Sequence, residues 1–334
     1  MKNPLVSICI PAYNRPELIK RSLDSCLRQT YTNIEVVVVD DASTDSTPDV
    51  IKAYVARDPR IKYYRNEKNL GMVPNWGRTF ELATGEYIQH LGSDDRLTDD
   101  FIEEKMRVFE KYPDVAFVGA GIRTYLAKPD GTFSILNETK YPTGRYEASY
   151  LFGNFYRKPA IVCTACTVRR RDILKHFMDT IPNTWGYDNA YRRGGKIMDV
   201  VIFLNILADY RFMYYLDNVF YESTEHQGNS VKMFFGLTRG VIGDHIKFNH
   251  MDQMGFSYFY TNYAPQYLSR YRIFMGSNTL AGTFFDLLLK RASGSPWRAL
   301  RDFFGDYSFK ERFFSFVIFP LCVFQRVGEW ILRK

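Results

Sequence analysis

The chain predicts an α/β fold: a mostly parallel central sheet flanked by helices, followed by a helical, aromatic-rich C-terminal extension. Three observations carry this. Strand-like apolar runs alternate with segments of helical period from residue 5 to residue 111. The segment 34–40, IEVVVVD, is nearly all β-branched, as in a strand covered on both faces. From Val231 onward the pattern turns helical, with abundant Phe and Tyr. A βαβαβαβα run has a parallel sheet with helices on both faces as its stable solution.

Taken in order, 5–11 (LVSICIP) reads as a buried strand. Residues 15–29 follow as a helix, with Leu18, Ile19, Leu23, Cys26 and Leu27 on one face. After the strand 34–40, residues 46–56 form a helix with Thr44 or Ser46 as cap and Pro48 in the first turn. Residues 61–66 are strand, 74–83 helix, 86–92 strand, and 98–111 a helix capped by Thr98. Strand character returns at 115–125, and a Tyr-, Gly- and Pro-rich stretch, 128–158, is expected to wrap over the sheet. Strand 161–168, helix 170–178, helix 198–208 and one or two strands over 212–224 complete the domain. The expected division is 1–230, with halves 1–125 and 126–230, and then 231–334.

Composition narrows the function. Of 334 residues 46% are hydrophobic and 24% charged, which excludes a disordered chain. A net charge of +7 with 16% aromatic residues suits a nucleic acid, a membrane surface or an anionic small molecule. The start, MKNPLVSICIPAYN, lacks the layout of a signal peptide, which points to a cytoplasmic protein. Phe313 to Phe324 is an apolar run of about twelve residues interrupted by Pro320, too short for a bilayer span of about 20. Five scattered cysteines suit reduced thiols, and Cys163-x-x-Cys166 has no second pair to complete a zinc site.

Chemistry concentrates where strands stop, which is where ligands bind in such sheets. The first strand ends in Pro11-Ala12-Tyr13-Asn14, the second in Asp40-Asp41-Ala42-Ser43-Thr44-Asp45, the fourth in Gly92-Ser93-Asp94-Asp95. A single Asp pair there reads as a turn or a cap. Two pairs facing one crevice repel each other unless a cation or hydrogen-bond donors lie between them. Paired carboxylates offer hard oxygen ligands to Mn2+ or Mg2+, which complete their shells with water and phosphate.

Further matching stretches are Ser25-Cys26-Leu27-Arg28-Gln29-Thr30-Tyr31, Asn69-Leu70-Gly71, and Ala83-Thr84-Gly85-Glu86-Tyr87-Ile88. With the strand-end motifs, in this order and spacing over residues 5 to 125, the sequence resembles the family 2 glycosyltransferases of GT-A (Rossmann-like) fold. The resemblance implies an inverting transfer of a hexose or N-acetylhexosamine from a nucleotide sugar, UDP favoured, to a hydroxyl. It implies that Pro11 and Tyr13 line the nucleotide pocket and that Asp41 accepts from base or ribose. Asn75 then sits near the base edge, Asp94 contacts ribose or sugar, and Asp95 ligates the metal. A weaker match runs through Met198-Asp199 and Tyr221 to Ser230. It implies Asp199 as general base, with Asp188 as rival, and His226 on the metal or the phosphate. A carboxylate base with direct in-line attack inverts the anomeric centre.

Two other classes fit the sequence less well. A sugar nucleotidyltransferase needs a Gly-rich phosphate loop after the first strand, and Pro11 to Pro16 contains no glycine. A non-catalytic nucleic-acid or membrane module leaves the strand-end carboxylates unexplained, since they repel phosphate without metal; no nucleic-acid partner is expected. Between 290 and 334, nine Lys/Arg face four Asp/Glu among many Phe and Trp. That suits a helix lying on an anionic membrane surface, packing on the sheet, or joining a second copy in a homo-oligomer. The acceptor expected from it is a glycan or lipid-linked glycan in surface polysaccharide assembly, with the enzyme peripheral on the inner face of the cell membrane.

Overall fold

The computed structural model describes residues 3–128, 130–154, 165–184, 198–226, 308–312 and 315. The chain divides into two units, Met1–Ser230 and Val231–Lys334. In the second unit, the described residues include a helical turn with a reciprocal cap. Ser308 Oγ accepts from the Glu311 amide at 3.3 Å, and the Glu311 carboxylate accepts from the Ser308 amide at 2.8 Å. The rest of the expected basic, aromatic helices lies outside the described residues.

The first unit begins with β1 (Val6–Ala12), α1 (Leu18–Leu27), β2 (Ile34–Asp40), α2 (Thr47–Val55), β3 (Ile61–Arg65), α3 (Met72–Leu82) and β4 (Tyr87–His90). It continues through β5 (Arg96–Leu97), α4 (Phe101–Lys111), β6 (Val115–Ala127), β7 (Phe133–Thr139), β8 (Gly144–Glu147) and α5 (Ala148–Asn154). β9 (Thr167–Arg169), α6 (Arg170–Thr184), α7 (Met198–Ala208) and β10 (Phe212–Glu225) follow. Among the described residues these strands form one sheet in the order β3-β2-β1-β4-β9-β6-β10-β5, with β7 on β6 and β8 on β10.

The alternating run folds as the α/β pattern requires: β1 pairs in parallel with β2 and β4, and β2 with β3. Every residue of β2 is buried, as its β-branched composition predicts for a strand with both faces covered. The second half of the sheet is mixed. β9 runs antiparallel to β4 and β6, and β5 antiparallel to β10, whereas β10 and β6 are parallel. A buried polar clasp ties the first strands together. Glu35 accepts from Ser7 Oγ at 2.6 Å and from the Thr84 amide at 2.6 Å. Gly85 closes it, because a Cβ there would stand 2.7 Å from Leu5 O and 2.8 Å from Ser7 N.

Several expectations are corrected. Within the stretch 128–158, residues 133–139 and 144–147 extend the sheet instead of wrapping over it, as β7 on β6 and β8 on β10. Residues 212–224 form one strand, not two. Thr98 does not cap α4: the helix starts at Phe101, and Thr98 Oγ1 instead accepts from the Phe220 amide at 3.1 Å, recruited by the neighbouring β10. Neither Thr44 nor Ser46 caps α2 by side chain; Asp45 Oδ1 accepts from the Thr47 amide at 2.9 Å. Short β5 escaped sequence reading because two residues carry no periodicity.

Candidate active site

The loops after β1 and β2 are locked to each other before any ligand is considered. Asn14 sits at φ 51° and Ala42 at φ 59°, both left-handed. Asn14 tolerates this because its side chain works: Oδ1 accepts from the Thr44 amide at 2.9 Å, while its own amide donates to Ser43 Oγ at 2.9 Å. Tyr13 stands 43% exposed beside this lock, free to offer its ring to a planar ligand, and Pro11 is half-buried at the end of β1.

Asp40 and Asp41 divide their labour. Asp40, fully buried, accepts from the Ser43 amide at 3.0 Å and the Tyr63 hydroxyl at 3.2 Å, and lies 3.5 Å from Arg65 Nε. Burial, then the Asp40 charge, pushes Tyr63 up to about 12. Asp41 pins the loop before α3: Oδ1 accepts from Leu70 N and Asn66 Nδ2, both at 2.8 Å, and Oδ2 from Gly71 N at 2.9 Å. Gly71, at φ 91°, gives that loop its direction. Asn75 is 2% exposed and donates to Val39 O at 3.0 Å while accepting from Asn66 at 3.0 Å. In this structure Asn75 therefore reaches Asp41 through Asn66.

The loop from β4 to β5 carries Asp94 and Asp95. Asp95 is held from β10: Oδ2 accepts from the Tyr221 hydroxyl at 2.7 Å and Oδ1 from the Thr224 amide at 2.8 Å. Its carboxyl is pushed well above the usual carboxylate range, first by burial and then by the Asp94 charge, against the pull of those hydrogen bonds. Asp94 Oδ2 lies 2.9 Å from His226 Nε2 and 3.9 Å from Arg15 Nε. His226 and Arg15 line an open pocket with Asn14, Pro16, Glu17 and Leu18. Both carboxylates lie over the bare Cα of Gly92, where a Cβ would meet Asp95 Oδ2 at 2.6 Å and Asp94 Oδ1 at 2.9 Å.

This arrangement fits a hard divalent cation. The Asp94 charge adds to burial in raising the cost of ionising Asp95, and glycine leaves room for the two carboxylates to approach. Among the described residues no group of three or more His, Cys, Asp or Glu side chains is arranged to hold a metal. An ion here would draw the rest of its shell from water and ligand oxygens, the habit of Mg2+ at phosphate sites.

Asp199 is the second residue of α7, at the helix start where the sequence put it; its side chain and all of Asp188 lie outside the described residues. Sequence reading missed Asn66, and it gave no role to Gly92, Tyr221 and Thr224, which stand inside the matching stretches. Asn66 was open to the same strand-end rule that singled out Asp41, since it follows β3 directly. Gly92, Tyr221 and Thr224 act through contacts that no local pattern encodes.

A family model described as Glycosyl transferase family 2 matches residues 7–178. A chondroitin synthase of Pasteurella multocida is 33% identical over 187 residues, 55% of this chain and 18% of that protein. The chain spans half or less of the length of the curated relatives it matches. Among solved structures, S. aureus TarS 1–349 in complex with UDP-GlcNAc gives a TM-score of 0.53 at 15% identity, covering 85% of this chain and 82% of that one. A mannosyltransferase from Pyrobaculum calidifontis in complex with GDP-Man and Mn2+ gives 0.54 at 15% identity, covering 100% of this chain and 89% of that one. At such identity the likeness is one of fold.

Proposed function

The chain belongs to glycosyl transferase family 2 and has the GT-A fold, and from that premise we propose that it moves a sugar from a nucleotide-sugar donor, UDP-linked, to a hydroxyl of a glycan or lipid-linked glycan, with inversion. The observation that carries the reading is the Asp94–Asp95 loop, two carboxylates folded over Gly92 and braced from β10. The order of the sheet supports it too: the loops after β1, β2 and β3 lie together on one side of that loop.

In this reading Tyr13 stacks on the base against Pro11. Asp41 shares a lone pair with the base or ribose, and Asn75 keeps Asp41 oriented through Asn66. Asp95, with His226 on the metal or the phosphate, would hold Mn2+ or Mg2+, which when bound neutralises charge developing on the diphosphate leaving group, while Asp94 contacts ribose or sugar. Asp199 takes the proton from the attacking acceptor hydroxyl; a helix start favours its ionised form. The extension after residue 230 would bring the enzyme to an anionic membrane surface, where lipid-linked acceptors lie, or to a second copy.

The test is a panel of UDP-, GDP- and dTDP-sugars read by released nucleotide, with and without EDTA, on the wild type and Asp199→Asn. Metal-dependent release from one donor, lost in Asp199→Asn while nucleotide affinity stays within about twofold, supports the assignment. A chain indifferent to every nucleotide overturns it. Strong loss of nucleotide binding in Asp199→Asn means that the base lies elsewhere.

A further inference from the structure

Three arginines gather about Glu222 and Thr224 of β10, next to the Asp94–Asp95 loop. Arg96 lies on β5, Arg123 on β6, and Arg21 reaches in from α1. Arg96 and Arg123 share the buried carboxylate of Glu222 on β10, 2.5 Å from Arg96 Nη2 and 3.2 Å from Arg123 Nη1. Arg123 also pairs with Glu138 at 3.0 Å. Arg21 is different. Among the described residues no carboxylate lies within ion-pair distance of it; its guanidinium rests 3.5 Å from the ring centre of Phe133 and makes one long hydrogen bond, 3.4 Å, to Thr224 Oγ1.

The cluster is thus short of negative charge. Three guanidinium groups face two paired carboxylates, Glu222 and Glu138, and the Nε of Arg96 is buried without a partner among the described residues. Burial, and then the charge of Arg96, lowers the proton affinity of Arg21, against the pull of Glu222 and Asp95, which act on it from beyond ion-pair distance. An oxyanion laid against Arg21 would relieve that repulsion, and arginine stacked on an aromatic ring keeps its planar edge ready for one.

The position says whose oxyanion it is. The candidate donor residues Pro11, Tyr13, Asp41 and Asn75 belong to the β1–β3 end of the sheet, whereas β6, β10 and β5 form the other end, with the Asp94–Asp95 loop leading from β4 into β5. Thr224 joins the two chemistries: its amide holds Asp95 and its hydroxyl holds Arg21. A group bound at Arg21 therefore lies beside Thr224 and Asp95, where β10 and β5 end the sheet opposite the β3-β2-β1 end.

We propose that Arg21, backed by Arg96 and Arg123, forms a subsite for an oxyanion carried by the acceptor, either a uronate carboxylate or a phosphate. This rests on the glycosyltransferase reading for the identity of the acceptor, and its test is separable from that reading. Ligand-observed NMR on the full chain, with UDP and Mn2+ saturating, compares methyl β-D-glucuronide with methyl β-D-glucoside and glycerol 3-phosphate with glycerol. At least one anionic probe should bind about tenfold more tightly than its neutral control, and whichever anion does so names the source. Arg21→Gln should erase that preference, whereas Glu222→Gln, which removes the competing carboxylate, should strengthen it several-fold. Opposite signs in the two variants separate binding from folding.

Equal binding of anionic and neutral probes to the wild type overturns the proposal, as does a tenfold loss of UDP affinity in Arg21→Gln, which would make the cluster part of the donor site. If the wild type keeps the anion preference yet binds no nucleotide, the functional reading falls and with it the assignment of the anion to an acceptor, while the anion subsite stands.

Discussion

The hydroxyl of Tyr221 donates to Asp95 Oδ2 at 2.7 Å, and the amide of Gly92 donates to the same phenolic oxygen at 3.0 Å. One phenol thus fixes both the carboxylate that would bear the metal and the glycine beneath it. Removing the hydroxyl leaves Asp95 without one of its two described donors in a buried setting. Tyr221→Phe should weaken metal-dependent nucleotide binding about 10- to 100-fold, the usual cost of losing a group that orients a ligand. Titration calorimetry with UDP and Mn2+ checks this; unchanged affinity would make the hydrogen bond incidental.

Gly92→Ala should disable the same loop from below. The added methyl comes within 3 Å of both carboxylates, so side-chain ends and not backbone must shift, and Asp95 must give up its place under Tyr221. The variant should therefore unfold within a few degrees of the wild type yet lose most metal-dependent nucleotide binding. A large fall in Tm with nucleotide affinity retained would mean that the backbone, and not the carboxylates, gives way.

Ala42→Gly should stabilise the protein. A left-handed conformation costs an alanine roughly 1–2 kcal/mol, and glycine adopts it freely at some cost in unfolded-state entropy. The net gain is about 1 kcal/mol at most, a rise in Tm of a few degrees by calorimetry. A lower Tm would show that strain at residue 42 is not what the loop bears.

Acid should destabilise the fold through His90. This imidazole is buried against Trp76 and Phe80, and neither ring nitrogen has a partner among the described residues. Burial holds it down to about 4, with Asp94 opposing. Because the folded value is lowered, the unfolded chain takes up the proton first, so stability is lost as pH falls from about 6.5 towards about 4. The loss approaches about 3 kcal/mol at the acid end. Urea titrations at pH 7 and pH 5 should separate more for the wild type than for His90→Phe; equal separation would locate the acid sensitivity elsewhere.

The first half of the fold was readable because it is written locally. β-branched β2, the amphipathic period of α1 and the Gly and Asp punctuation at strand ends each announce themselves within a few residues. β5, β7 and β8 were not, since they exist as pairings to β6 and β10 instead of as patterns. Thr98 makes the point in one residue: its composition says cap, and its partner 122 positions away says otherwise. Asp41, Asp94 and Asp95 were found from strand ends, whereas the groups that hold them, Asn66 and Tyr221, come from distant sequence.

Strand β10 deserves to be seen as a ruler. Residues 217–219 are looped out between the pairs Leu216–Ala120 and Phe220–Gly121, so the chain restarts its ladder just before Tyr221. Side chains alternate along a strand, which turns Tyr221 toward Asp95 and its neighbour Glu222 toward the arginines. Losing or gaining a single residue in that stretch would swap the two: a carboxylate delivered to a carboxylate, and a phenol to the cations. In evolutionary terms, this short segment should tolerate exchange of letters far better than change of length.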